Sequence, residues 1–105
     1  MAVYMLLESK ITDQEKYGEY MAAVADIIAA HGGRFLVRGG RITPLFTGSK
    51  MERRQPEKIN IVEFPSEAHQ RRFLTSPEYR AILPLRQASA ETRALLLEGY
   101  APDKQ

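Results

Sequence analysis

The chain has 105 residues, 15 basic and 13 acidic, for a formal charge of +2, with a hydrophobic share of 44% and no cysteine. That length suits one domain with one ordinary core, and that apolar share excludes wholesale disorder. The missing cysteine excludes disulfides, thiolate catalysis and Cys-based metal sites, and the balanced charge lacks the basic, aromatic-laced stripe of a nucleic-acid binder.

Val3–Ser9 reads as a strand, with Val3, Met5 and Leu7 on one face and Tyr4 and Leu6 on the other. Thr12-Asp13-Gln14-Glu15 is a capping-box pattern that predicts a helix opened by the Thr12 hydroxyl and running to about His31. Its apolar stripe is Tyr17, Tyr20, Met21, Val24, Ile27 and Ile28, and Gly32 ends it. Arg34–Arg38 is a second strand, followed by Gly39-Gly40 and a further extended stretch, Arg41–Phe46. The glycine pair either closes a tight hairpin or forms a bulge in one long bent strand, and the bulge is the favoured reading.

Gly48–Glu57 is polar and aperiodic and is expected to be a mobile loop. Its Arg53-Arg54 pair, like Arg71-Arg72 further on, has Glu close by and reads as solvated surface. Lys58–Phe64 is the third strand: Ile59, Ile61 and Glu63 share one face, Asn60, Val62 and Phe64 the other. Ser66 caps a short helix containing Phe73 and Leu74. Ser76-Pro77-Glu78 opens another, with Tyr79, Ile82, Leu83 and Arg86 on its stripe and a kink or break expected at Pro84. Thr92–Glu98 is the last strand, Gly99 ends it, and residues 100–105 are expected to fray from a single domain of residues 1–99.

The order strand, helix, strand, strand, helices, strand predicts an α+β, ferredoxin-like split β-α-β sandwich, a four-stranded antiparallel sheet with helices on one face. Its strands do not alternate cleanly between apolar and polar. Tyr4 and Leu6 back onto Val3, Met5 and Leu7, and Phe35–Val37, Ile59–Phe64 and Leu95–Leu97 are likewise apolar on both sides. Leaving roughly seven such side chains wet forgoes on the order of 10–20 kcal/mol as an upper bound, comparable to a domain's whole stability. The simplest cover is a second copy, which predicts a homodimer through the sheet face, a dimeric α+β barrel.

Gly32-Gly33-Arg34-Phe35-Leu36-Val37-Arg38-Gly39-Gly40, then Glu63-Phe64-Pro65-Ser66, then Ser76-Pro77-Glu78-Tyr79 and the closing Leu95-Leu96-Leu97-Glu98-Gly99 resemble the domain-of-unknown-function 1330 family over about Val3–Gly99. The resemblance implies a dimeric α+β barrel and no settled reaction; related barrels include small monooxygenases, isomerases and haem-degrading enzymes, an analogy of fold alone. Members often carry a Trp before the third strand, where this chain has Met51-Glu52-Arg53-Arg54 and no Trp at all.

Several residues carry candidate chemistry. Arg38 can hold a carboxylate or enolate in a bidentate fork, or serve as a surface ion-pair partner. Glu63, at the end of an apolar face, is a base if buried and a structural partner of Arg38 or Arg93 if paired. His31 is a general base or a cation on a helix C-terminus, and His69 reads as solvated. Phe35 and Phe64 supply apolar walls, and Tyr17, Tyr20 and Tyr79 are core aromatics whose hydroxyls can reach a pocket edge. Neither a metal-ligand cluster nor a phosphate loop is present, and no cofactor is indicated. No leader or membrane span is visible, so a cytoplasmic location is the default expectation. The candidate functions are a cofactor-independent enzyme acting on a small anionic molecule, a non-catalytic binding dimer with the same pocket, and an interaction module.

Overall fold

The computed structural model describes residues 1–46 and 56–102. Most of the loop expected at Gly48–Glu57, with Arg53 and Arg54, and the end of the tail lie outside the described residues. The elements are β1 (Val3–Ile11), α1 (Gln14–Ala30), β2 (Arg34–Arg38), β3 (Lys58–Phe64), α2 (Glu67–Thr75), α3 (Pro77–Ser89) and β4 (Ala90–Glu98). One antiparallel sheet has the order β2-β3-β1-β4, the ferredoxin-like α+β arrangement.

Four local expectations are corrected. The helix cap is Asp13, not Thr12: the Asp13 carboxylate accepts from the Lys16 N–H at 3.0 Å. Thr12 is held by its own N–H on the Ser89 carbonyl at 2.8 Å, so it still belongs to the strand-to-helix corner, and the first side chain free to cap is one residue later. Pro84 does not break α3, which runs continuously from Pro77 to Ser89; one missing hydrogen bond is tolerated where α3 packs its Tyr79 side into the core. The glycine pair closes no hairpin and carries no long bent strand. Gly39 and Gly40 have φ of 67° and 90°, a left-handed turn that takes the chain off the sheet, so Arg41–Phe46 pairs with no strand. The register slip lies earlier, between Phe35 and Val37. Finally, His69 is half-buried rather than solvated, its Nδ1 2.6 Å from the Ser66 hydroxyl that caps α2.

The core lies between the helices and one sheet face. Val3, Met5, Val62 and Phe64 meet Tyr20, Val24 and Ile28 of α1, Phe73 of α2 and Tyr79 of α3. Gly33 makes the closest approach. A Cβ there would stand 2.6 Å from the Phe64 ring and 2.9 Å from Ile28, so only glycine lets β2 start against the end of α1.

Among the described residues no helix packs on the other face, and its registers align into rows. Val37, Ile61, Leu6 and Leu95 form one apolar row straight across the four strands. On one side of it stand Arg34, Glu63, Tyr4 and Leu97, on the other Ile59, Glu8 and Arg93. The two charged pairs sit at opposite corners: Arg34 Nε donates to Glu63 at 2.8 Å and Arg93 Nη1 to Glu8 at 3.3 Å. Leu95 and Leu97 remain 37% and 45% exposed, so no element among the described residues covers the apolar part of this face.

Candidate functional site

The site is built where α1 crosses the β2–β3 edge. Alternation along β3 turns Asn60 to the helix side together with Val62 and Phe64, so an amide is buried within an otherwise apolar face. Both ends of that amide are used. Its Oδ1 accepts the Gly39 N–H at 2.7 Å, and its Nδ2 donates to the Tyr17 hydroxyl at 3.2 Å. The left-handed Gly39 is what brings a backbone N–H to this point.

Arg38 follows on the same side of β2. Its guanidinium lies 5.0 Å above the Phe35 ring, and its Nη2 donates to the Met21 carbonyl at 3.1 Å. Arg38 borders a surface cleft of about 310 Å³ together with Tyr17, Met21, Gly39, Lys58 and Asn60. Met21 and Asn60 also line an inner chamber of about 30 Å³, walled by Met5, Val24, Phe35, Val62 and Phe73 and by the phenols of Tyr20 and Tyr79. The outer cleft carries two cationic side chains, Arg38 and Lys58, on a largely apolar lining, and the inner chamber is largely apolar as well. Burial, reinforced by the neighbouring Tyr79 hydroxyl, raises the Tyr20 pKa well above the ordinary tyrosine value, and the Arg86 charge opposes that rise.

The residues singled out from sequence divide among three places. Arg38 and Phe35 belong to the cleft and chamber. Tyr79 lines the chamber, its ring 4.7 Å from Phe73, whereas Phe64 is wholly buried behind it and touches neither space. Glu63 and Arg93 are on the opposite face of the sheet. The partner of Glu63 is Arg34, not Arg38 or Arg93, and that guanidinium's hydrogen bond holds the carboxyl below its ordinary pKa. His31 terminates α1 with Nδ1 2.8 Å from the Ile27 carbonyl and its ring edge-on to Phe73, lining neither space. Tyr17 and Tyr20, read as core aromatics able to reach a pocket edge, line the cleft and the chamber respectively, and Asn60 and Lys58 complete the site, though sequence reasoning did not place those two in it. The available signal was Asn60, a lone amide alternating with Val62 and Phe64.

Among the described residues, no group of three or more His, Asp and Glu is placed to hold a metal ion, and no helix is long and apolar enough to cross a membrane.

The sequence model of a domain of unknown function, DUF1330, matches residues 2–100. No curated protein matches the chain. Among solved structures, a protein of unknown function from Rhodopseudomonas palustris (RPA0582) superposes with a TM-score of 0.79 at 21% identity, over 96% of this chain and 84% of that one. SnoaB, a cofactor-independent oxygenase from Streptomyces nogalater, superposes with a TM-score of 0.68 at 16% identity, over 95% and 94%. A dimeric protein of unknown function with a ferredoxin-like fold from Bacteroides fragilis does so with a TM-score of 0.56 at 18% identity, over 93% and 96%.

Proposed function

The chain belongs to the DUF1330 family, and on that footing we propose that it is a cofactor-independent enzyme that takes a small anionic organic molecule into the cleft beneath α1. The observation that carries this reading is the junction at Asn60, where a cationic outer cleft opens beside a chamber walled by apolar and phenolic groups. Arg38 receives the anion, pre-oriented by Phe35 and the Met21 carbonyl. The Tyr17 hydroxyl, tied to Asn60, borders the same cleft and can donate or accept a proton there. SnoaB supports the reading to the extent that a shape of this kind houses catalysis without a cofactor in another protein.

The working form in this proposal is a homodimer closed through the open sheet face. The apolar row Val37–Ile61–Leu6–Leu95 is self-complementary, and each carboxylate beside it already carries its own arginine, so closure buries no unpaired charge. Glu63 and Arg93 then face the lumen between two sheets, and proton transfer by Glu63 belongs to that space. Among the described residues the Nε2 of His31, at the end of α1, has no hydrogen-bond partner, and His31 is the remaining candidate base.

One observation favours binding without turnover: among the described residues no carboxylate or imidazole lines the cleft. The test is a turnover screen of small carboxylic acids with the wild-type chain and Arg38→Ala. Loss of turnover in the variant supports the enzyme. Melting shifts on ligand addition with no product from either chain support the binding protein, and neither result from any acid sinks both.

A further inference from the structure

The hydrogen bonds around Asn60 run in one direction, and the main chain sets it. Gly39 offers a backbone N–H, which can only donate. It is shared between the Asn60 Oδ1 at 2.7 Å and the Ile59 carbonyl at 3.1 Å. A reversed Asn60 amide would set its own N–H groups against that donor, so Oδ1 is fixed on Gly39 and Nδ2 faces Tyr17. Nδ2 is likewise a donor only. The Tyr17 oxygen therefore accepts at 3.2 Å, and its own proton points away from Asn60. Among the described residues no hydrogen bond takes that proton, and Tyr17 borders the cleft.

We infer that Asn60 is a positioning residue that makes Tyr17 a hydrogen-bond donor to the cleft, and that the acid held by Arg38 is an oxo acid whose carbonyl oxygen accepts from Tyr17. The inference rests on the proposed anion site at Arg38. The Arg38 guanidinium suits the carboxylate, and a neutral O–H of settled direction suits an uncharged acceptor beside it. A carbonyl brings acceptor lone pairs alone. A hydroxy or amino acid would also bring a donor, and among the described residues no carboxylate or imidazole lines the cleft to receive it. The same bond polarises the carbonyl, so Tyr17 serves the proposed chemistry as an acid rather than a base.

Calorimetric titration with benzoylformate and with phenylacetate, which has a methylene in place of the keto carbonyl, tests the inference. Benzoylformate should bind wild type about tenfold tighter, the worth of one hydrogen bond. Tyr17→Phe should remove that preference and leave phenylacetate affinity unchanged, while Arg38→Ala should weaken both acids together. Asn60→Asp keeps the size and the bond to Gly39 but offers Tyr17 an acceptor, which turns the phenol proton inward. It should lose the preference as Tyr17→Phe does, and combining the two substitutions should change the ratio no further. Repulsion from the new carboxylate weakens both acids alike and leaves their ratio untouched. Should Asn60→Asp fold poorly by its melting curve, Asn60→Ala, which frees the phenol to turn, should shrink the preference below about threefold. No preference in wild type, or one that survives Tyr17→Phe or Asn60→Asp, would overturn the inference, and loss of both acids with Arg38→Ala would leave the anion site standing. No binding of either acid at millimolar concentration would overturn both.

Discussion

The same strands present two faces that are finished to different degrees. On the helix side, Val3, Met5, Val62 and Phe64 are 0–7% exposed, and the polar residue among them, Asn60, has both ends of its amide bonded. On the other side, the apolar row is open, and its carboxylates are tied to arginines whose side chains are 70% and 71% exposed. One face is a core covered by helices over β1 and β3, though Leu96 at its β4 edge stays 41% exposed, with a cleft at its β2 edge; the other is a surface with an apolar centre and paired corners. The contrast teaches that apolar character alone does not mark a core: polar groups are paired on both faces, and what separates them is the packing of the helices on one.

The comparison breaks most visibly at Phe64. Phe64→Ala should cost about 3–5 kcal/mol, read from the denaturant midpoint, because the cavity it leaves lies among Gly33, Ile28 and Phe73. An effect below about 1 kcal/mol would mean that this side is no better packed than the open one. Next in size, Leu6→Ala and Leu95→Ala on the open row should each cost about 1.5–3 kcal/mol, and the loss should depend on protein concentration if that face closes on a second copy. Sedimentation should give twice the chain mass for wild type and the single-chain mass for Leu95→Asp. A wild-type monomer would leave the row unexplained. Gly33→Ala, at the seam between α1 and β2, should cost about 1–3 kcal/mol by overpacking against Phe64. The smallest effect belongs to the corner pairs. Because the folded-state pKa of Glu63 is lowered, its contribution to stability is present above the ordinary glutamate value and is lost as pH falls through the lowered one. Arg34→Gln should therefore lower the melting temperature slightly near neutrality, and that difference should vanish as pH falls through the window, which flattens the acid limb.

Much of this was legible in the residues. Element order, the apolar doubling of the strands and the capping serines at positions 66 and 76 follow from periodicity and local hydrogen-bonding chemistry alone. Thr12 misled because a capping box is a local pattern, and the carbonyl that holds its backbone belongs to Ser89, at the far end of α3. Gly39-Gly40 misled because glycine announces a left-handed turn without saying whether the chain returns to the sheet. The site was half legible. Arg38 and Phe35 lie together on one short strand. Asn60 and Tyr17, by contrast, are 43 residues apart and meet only through the crossing of α1 over β3, a tertiary fact that no window of sequence contains. Glu63 and Arg38 looked like partners because both are charged and near strand ends; the register slip after Phe35 places them on opposite faces.

The pairing of β1 with β4 carries a consequence for how the chain can be cut and joined. Gly99 donates its N–H to the Ala2 carbonyl at 3.0 Å, so both ends of the fold come out at one corner, side by side. A short peptide bridging Ala2 and Gly99 would span almost no distance, and a circularly permuted chain opened at another connection should keep every strand partner. It would also turn the pairing between the first and last strands, the most distant along the natural chain, into a local hairpin, and so should speed folding while leaving the cleft intact.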